Sequence, residues 1–385
     1  MGLFAKKEER FVGIDIGAGG IKLVELLYEH GAYKLMTYGS TSRMADAVDT
    51  ALTDVPKEAI EHIRALIKQA GVESKHVIAS LPVHSVFSSI IAIPDVKDPL
   101  ETRALVERQA GKLMPLPVDQ MVIDFQILDR APRASTSVLT ADVAAAKQAK
   151  TTTSSIADKN VRVLITGAEK KMVQTYTQIF QEAGLDLASL ETEPFALIRS
   201  LIGNDKSPIM VLDVGAYRTN MTIVEEGIPF LNRSIKVGGA MVTREIARQM
   251  GMSVEEAEQM KQDLHTENGD VPKAVVDLFQ PIVNEIAYAM ELFAKSQLSN
   301  KDRVEKVILT GGSALLLGLD TFLTQKLNVR TFVGDPWARV QINEAMRPML
   351  EEIGPRFSVA LGLAMHAKKD APAEVSRGKG NVKKT

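Results

Sequence analysis

The feature that most constrains this chain is an internal repeat. FVGIDIGAGGIKLVEL, residues 11–26, is echoed by IMVLDVGAYRTNMTIVEEG, residues 209–227, and both read as strand, Asp-x-Gly, short polar turn, strand. Asp15 and Asp213 stand 198 residues apart, as do Gly17 and Gly215, so each half of the chain opens on the same hairpin. That spacing implies duplication and two lobes. A length of 385 residues agrees, because a single hydrophobic core stops growing near ~250–300 residues. Elsewhere strands and helices interleave, the pattern of an α/β architecture.

Four helices are legible. Asp54 and Pro56 open one with the stripe Ile60, Ile63 and Ile67 and a stop at Gly71, and a second covers 169–183 and ends at Gly184. Ser253 and Glu256 have capping-box spacing. Asp270 and Pro272 open a long amphipathic helix to about Leu298, with Leu278, Ile282, Ile286, Met290 and Phe293 on one face and Pro281 inside it.

The repeat also carries chemistry. A strand ending in Asp presents a carboxylate at the sheet edge, while Gly lets backbone amides approach an anion. Two such loops facing each other can hold a polyphosphate, with both aspartates orienting a hydrated Mg²⁺. One Asp-x-Gly hairpin by itself is equally an ordinary turn. Three further segments add weight. VILTGGSALLLGL, 307–319, is a strand, a Gly-Gly turn and a helix, against which a base or ribose can lie. Glu258 and Lys261 share a helix face and either bracket ribose hydroxyls or form a solvated ion pair. Glu191 and Glu193 precede a helix able to connect the halves, and either can also be a helix-start acid facing the macrodipole.

Composition narrows the classes. With no cysteine, disulfide scaffolds, zinc fingers, iron–sulfur clusters and cysteine catalysis are excluded, and the six histidines show no ligand spacing. Lys plus Arg at 46 against Asp plus Glu at 48 supplies no drive toward nucleic acid or anionic lipid. The apolar run Val77–Pro94 is broken by Pro82 and holds four serines and His84, so it reads as two buried strands and not a membrane span. MGLFAKKEER has no signal-peptide core, so a cytoplasmic protein is expected. In 131–160, 17 of 30 residues are Ala, Ser or Thr, too little apolar area to offset ordering, so a disordered loop within one sheet is expected there. The tail from Lys368, with six basic residues against two acids, is expected to be a solvated basic tail.

In their order, these segments resemble the phosphate-1, connect-1, phosphate-2, adenosine and connect-2 motifs of the actin superfamily, connect-2 being the small-residue helix FSVALGLAMHA, 357–367. The resemblance spans about residues 10–367 and implies an actin-like (ribonuclease H-like) fold that binds ATP with Mg²⁺. It implies a first phosphate loop of Asp15, Gly17, Gly19, Gly20 and Lys22, and a second of Asp213, Gly215, Arg218, Thr219 and Asn220. Gly311, Gly312 and Ser313 would contact the adenosine, Gly238 and Gly239 would line the nucleotide, and Glu193 would orient the attacking water.

Within the superfamily the sequence resembles the PilM family of type IV pilus assembly, through VGIDIGAGGIKLVEL, SVEEAEQMKQDL, ETEPFALIRSL and an FtsA-type inserted subdomain at roughly 81–165. This implies a partner, the cytoplasmic N-terminus of an inner-membrane PilN-type protein. It also implies attachment to the inner membrane through partners, with other pilus components, motor ATPases and self-association as further contacts. The expected division is 1–80 with 166–200 and 355–370 as lobe I, 81–165 as the insertion, 201–240 with 300–354 as lobe II, 241–299 as its helical subdomain, and 371–385 as tail. Two other functions fit the fold. An FtsA-like division scaffold would carry a C-terminal amphipathic helix, which APAEVSRGKGNVKKT does not supply. A small-molecule kinase would need a catalytic aspartate in its insertion, and Asp124, between Ile123 and Phe125, reads as an outward-facing strand residue.

Overall fold

The computed structural model describes residues 9–130, 160–263, 273–296, 298–299, 301–316 and 318–366. Except for Asn160, the loop expected at 131–160 and the tail from Lys368 lie outside the described residues.

β1 (Glu9–Gly17), β2 (Gly20–Glu29) and β3 (Ala32–Ser40) form an antiparallel meander, followed by α1 (Pro56–Ala70) and by β4 (His76–Leu81), which runs parallel to β1. β5 (Val86–Pro94), α2 (Pro99–Leu113), β6 (Met121–Arg130) and β7 (Asn160–Glu169) make a separate unit. α3 (Lys170–Ala183), β8 (Asp186–Thr192) and α4 (Glu193–Leu197) complete the first half. The second half opens on another meander, β9 (Ile209–Val214), β10 (Thr219–Glu225) and β11 (Ile228–Ile235). Helices α5 (Gly239–Met250), α6 (Val254–Asp263) and α7 (Lys273–Ala294) precede β12 (Lys306–Thr310), α8 (Leu319–Leu327) and β13 (Arg330–Val333). The chain then returns to the first lobe through β14 (Val340–Gln341), α9 (Arg347–Ile353) and α10 (Ser358–Ala364).

The two large sheets have the orders β14-β3-β2-β1-β4-β8 and β11-β10-β9-β12-β13. Apart from the two-residue β14, each is a meander with two parallel strands added beside its first strand, so the repeat in sequence is a repeat in topology. In the first lobe Ile60, Ile63, Tyr176 and Phe180 of the covering helices pack on Ile14, Leu23 and Val77. In the second, Phe279, Ile282, Ile286 and Phe293 of α7 cover Leu212, Met221 and Ile223. α7 ends at Ala294, short of Leu298, with Pro281 inside it.

Helices α4 and α10 join the lobes, and Ala196, Leu197, Val359 and Leu363 pack with Val211 and Ile308 of the second sheet. Small residues on α10 are a steric requirement. A Cβ at Gly362 would lie 1.9 Å from the Ala196 carbonyl oxygen, and one at Gly13 would lie 2.0 Å from that of Ala360.

The separate unit is a three-stranded antiparallel sheet, β5-β7-β6, with Val106 and Ala110 of α2 packed on Ile93, Val163 and Ile165. Its central strand runs four residues past the boundary expected at 165. Of the two strands read in Val77–Pro94, β4 is buried but β5 is not: Ile90 and Ile93 are its buried residues, because it is an edge strand in a small sheet.

Candidate functional site

The two Asp-x-Gly hairpins meet tip to tip, since a Cβ added at Gly19 would lie 2.9 Å from that of Ala216. Between the lobes lies a groove of about 1220 Å³, lined by Asp15, Gly17, Gly19, Lys22, Glu193, Asp213, Gly215, Arg218, Asn220, Gly239, Glu258, Lys261, Gly311, Gly312 and Ser313. The structure thus brings together residues from six segments spread over some 300 positions of sequence.

Strand pairing aims the carboxylates. Asp15 sits opposite Lys22 on β2, and Asp213 opposite Asn220 on β10, so each hairpin pairs its acid with a donor side chain. Ser80 Oγ, on β4 beside β1, donates to Asp15 Oδ1 at 2.9 Å. Glu193 enters from the first turn of α4, where its Oε2 accepts from the Val83 amide and from Asn220 Nδ2, both at 3.2 Å. Asn220 is itself oriented by Ser234 Oγ, which donates to its Oδ1 at 2.8 Å.

Three carboxylates therefore share one groove, and their electrostatics show it. Burial, then the nearby Asp15 charge, raises Asp213 to about 6, against the smaller opposing pull of Lys22 and Asn220. Burial, then Asp15 and Asp213, pushes Glu193 well above the usual carboxylate range. Burial, then Glu193 and Asp15, raises the Tyr176 phenol as well, so it stays neutral. Such a set is short of positive charge, which a hydrated divalent cation would supply. Among the described residues no group of three or more His, Asp or Glu is placed to hold an ion directly.

On the opposite wall, Glu258 and Lys261 are joined to each other instead of standing apart as a bracket, with Lys261 Nζ 2.7 Å from Glu258 Oε2. Thr243 of α5 closes the cluster, donating to Glu258 at 2.5 Å and accepting from Lys261 at 2.8 Å. Burial holds Lys261 below the usual lysine value despite this pairing, and Arg356 nearby adds to the effect. The capping box is formed: Ser253 N donates to Glu256 Oε2 at 2.8 Å, and Glu256 N to Ser253 Oγ at 3.2 Å. The Gly311–Ser313 turn is pinned between lobes by Gly311 N to Pro355 O and Ser313 N to Val214 O, both 3.0 Å. Gly311 has φ +91°, and a Cβ there would strike Asp213 Oδ1 at 2.3 Å.

Three expected residues lie behind the groove surface. Gly20, at φ +126°, turns the first hairpin, Thr219 is buried with its hydroxyl committed to Val237 O at 2.7 Å, and Gly238 makes room for the Ala216 carbonyl. Glu191 points away from the groove, to Arg199 and His366. Asp124 is exposed, its Oδ1 accepting from the Phe125 amide, and does not line the groove. Lining residues missed in the sequence include Lys236, Arg356, His84 and the segment after β3. Lys236 and Arg356 stand two residues ahead of the Gly-Gly turn and of α10, a proximity that could have flagged both.

The profile of the family described as type IV pilus assembly protein PilM matches residues 13–368. The chain belongs to the PilM family. A solved PilM-PilN type IV pilus biogenesis complex contains a chain that superimposes on this one with a TM-score of 0.71 at 26% identity, covering 92% of this chain and 97% of that one. Cell division protein FtsA of Enterococcus faecalis is 23% identical over 374 residues, covering 85% of this chain and 79% of FtsA. FtsA of Neisseria meningitidis is 21% identical over 298 residues, covering 71% and 68%. The PilM family, the duplicated α/β topology and the two facing hairpins agree on an actin-like fold. Among the described residues no helix is long and apolar enough to cross a membrane.

Proposed function

We propose that this PilM-family protein is an Mg-ATP-binding adaptor of type IV pilus assembly that receives the cytoplasmic N-terminus of a PilN-type protein at the inner membrane. The observation that carries the nucleotide reading is the meeting of Asp15, Asp213 and Glu193 between two glycine-bearing hairpins, a crowding of carboxylates that would favour a bound cation. Asp15 and Asp213 would hold Mg²⁺ through water, and the amides around Gly17, Gly19 and Gly215 with Lys22 would face the phosphates. Glu258, Lys261 and the Gly311–Ser313 turn would take the nucleoside.

Turnover is expected to be slow. Burial and the neighbouring Asp15 and Asp213 charges favour the protonated form of Glu193, and a protonated carboxyl cannot accept a proton from water. Binding energy then acts as a switch on lobe closure: ligand at about a thousand times its Kd stabilises the bound state by ~4 kcal/mol.

The groove exceeds the ~300–1,000 Å³ of ordinary small-ligand pockets. Its extension toward the inserted sheet, lined by Pro82, Phe87, Leu116 and Met121, is where we place the partner peptide. Val83, whose amide touches Glu193, adjoins this arm, so the nucleotide and peptide sites share a hydrogen-bonded neighbour. The test is the affinity of the full chain for a synthetic PilN-type N-terminal peptide with and without Mg-ATP. Binding that changes with nucleotide supports the adaptor; no peptide binding in either condition removes it.

A further inference from the structure

The segment after β3 lines the groove along most of residues 41–54 and bridges the lobes. It is anchored on the first hairpin: Arg43 N donates to Gly19 O at 3.2 Å, and Arg43 Nη1 to Thr50 O at 2.7 Å, which folds the segment on itself. On its far side, Ala45 and Val48 are buried in one cluster with Ala240 of α5, with Ala216, Tyr217 and Val254 of the second lobe packed around them. Arg244, one turn further along α5, reaches back from the second lobe, donating to Ala45 O at 2.5 Å and to Asp49 Oδ2 at 2.9 Å.

We propose that residues 41–54 form a strap that gates nucleotide exchange, held down from the second lobe by Arg244 and lifted whenever nucleotide enters or leaves. This rests on the nucleotide reading of the groove. These holding contacts are made wholly by protein groups, so they oppose passage in both directions. The buried part of the apolar patch is three small-to-medium side chains, small enough to part reversibly, and the Arg244–Asp49 pair is partly exposed, so neither contact is permanent. The strap differs in kind from α4 and α10, whose buried packing against both sheets is a fixed connection.

The distinguishing signature is kinetic. A residue that touches nucleotide changes release and affinity together, whereas a gate changes association and release in the same direction and leaves their ratio nearly constant. Stopped-flow binding and chase of a fluorescent N-methylanthraniloyl ATP with Mg²⁺ should show both rates rising roughly 3- to 10-fold in Arg244→Ala, the range expected for losing a part-exposed charged contact and one carbonyl contact. Asp49→Ala should give a smaller rise, and the double variant no more than Arg244→Ala. Because the chain has no cysteine, Asp49→Cys with Arg244→Cys can be joined by a short bismaleimide without side reactions, and joining should slow both rates relative to the unjoined double variant. A faster release with proportionally weaker affinity and unchanged association, or exchange unaffected by joining, overturns the strap. Wild-type protein that binds no nucleotide at equilibrium overturns the nucleotide reading itself, and is read out separately from the rates.

Discussion

Replacing Asp213 by asparagine should make the protein more stable and take away its ligand. Asp213 is raised from 3.8 to about 6 by burial and by Asp15. An acid whose folded pKa exceeds its unfolded value binds protons more tightly when folded, so it favours folding at low pH. That contribution fades as pH rises from 3.8 through about 6, and above 6 the ionised group opposes folding in full. Two pH units correspond to about 3 kcal/mol, and because one edge of the carboxylate faces the groove, water screens part of this, leaving ~1–3 kcal/mol. Asp213→Asn keeps the shape and removes the charge. Urea unfolding without Mg²⁺ or nucleotide should show the variant more stable by that amount at pH 7.5, with the gain shrinking to nothing toward pH 4. Saturating Mg-ATP should then stabilise wild type, by ~2.7 kcal/mol at a hundred times Kd, and leave the variant unmoved. A gain that is absent at pH 7.5, or that is the same at both pH values, would refute the electrostatic account of the groove.

Glu193→Gln should retain Mg-ATP binding, or tighten it through reduced repulsion, while any slow phosphate release falls further; calorimetry and a phosphate-release assay separate the two. Lys261→Met should weaken nucleotide binding about tenfold, since Glu258 loses the ammonium that orients it, and competition with tripolyphosphate should show the loss only for ligands carrying a nucleoside. Gly362→Val should destabilise by about 3 kcal/mol by driving a side chain into the Ala196 carbonyl, and a urea midpoint equal to wild type would contradict the packing of α10 against α4.

Much of the fold could be read from local chemistry. Paired Asp-x-Gly hairpins, the Ser253–Glu256 box, the stop glycines at 71 and 184 and the small-residue run of α10 are each short enough that spacing encodes geometry. The two-residue turn between Gly17 and Gly20 sets the register of β1 with β2, and with it Asp15 opposite Lys22, a pairing the sequence reading left open. The degree of burial was less legible, because a strand's apolar content does not tell whether one face or two will be covered; β5 is apolar enough for either and lies at the edge of a sheet with one covering helix.

What the chain determines by itself is its doubled topology and the loops that close each half, since these depend on contacts between residues close in sequence. The tertiary structure alone decided which charges face one another. Glu193 reaches the groove through an amide 110 positions earlier, Ser80 supports Asp15 from 65 positions away, and Arg244 holds a segment 195 residues before it. Such pairs leave no period in the sequence. Their energetics arise from burial and from the approach of two lobes, neither of which exists until the sheets have packed.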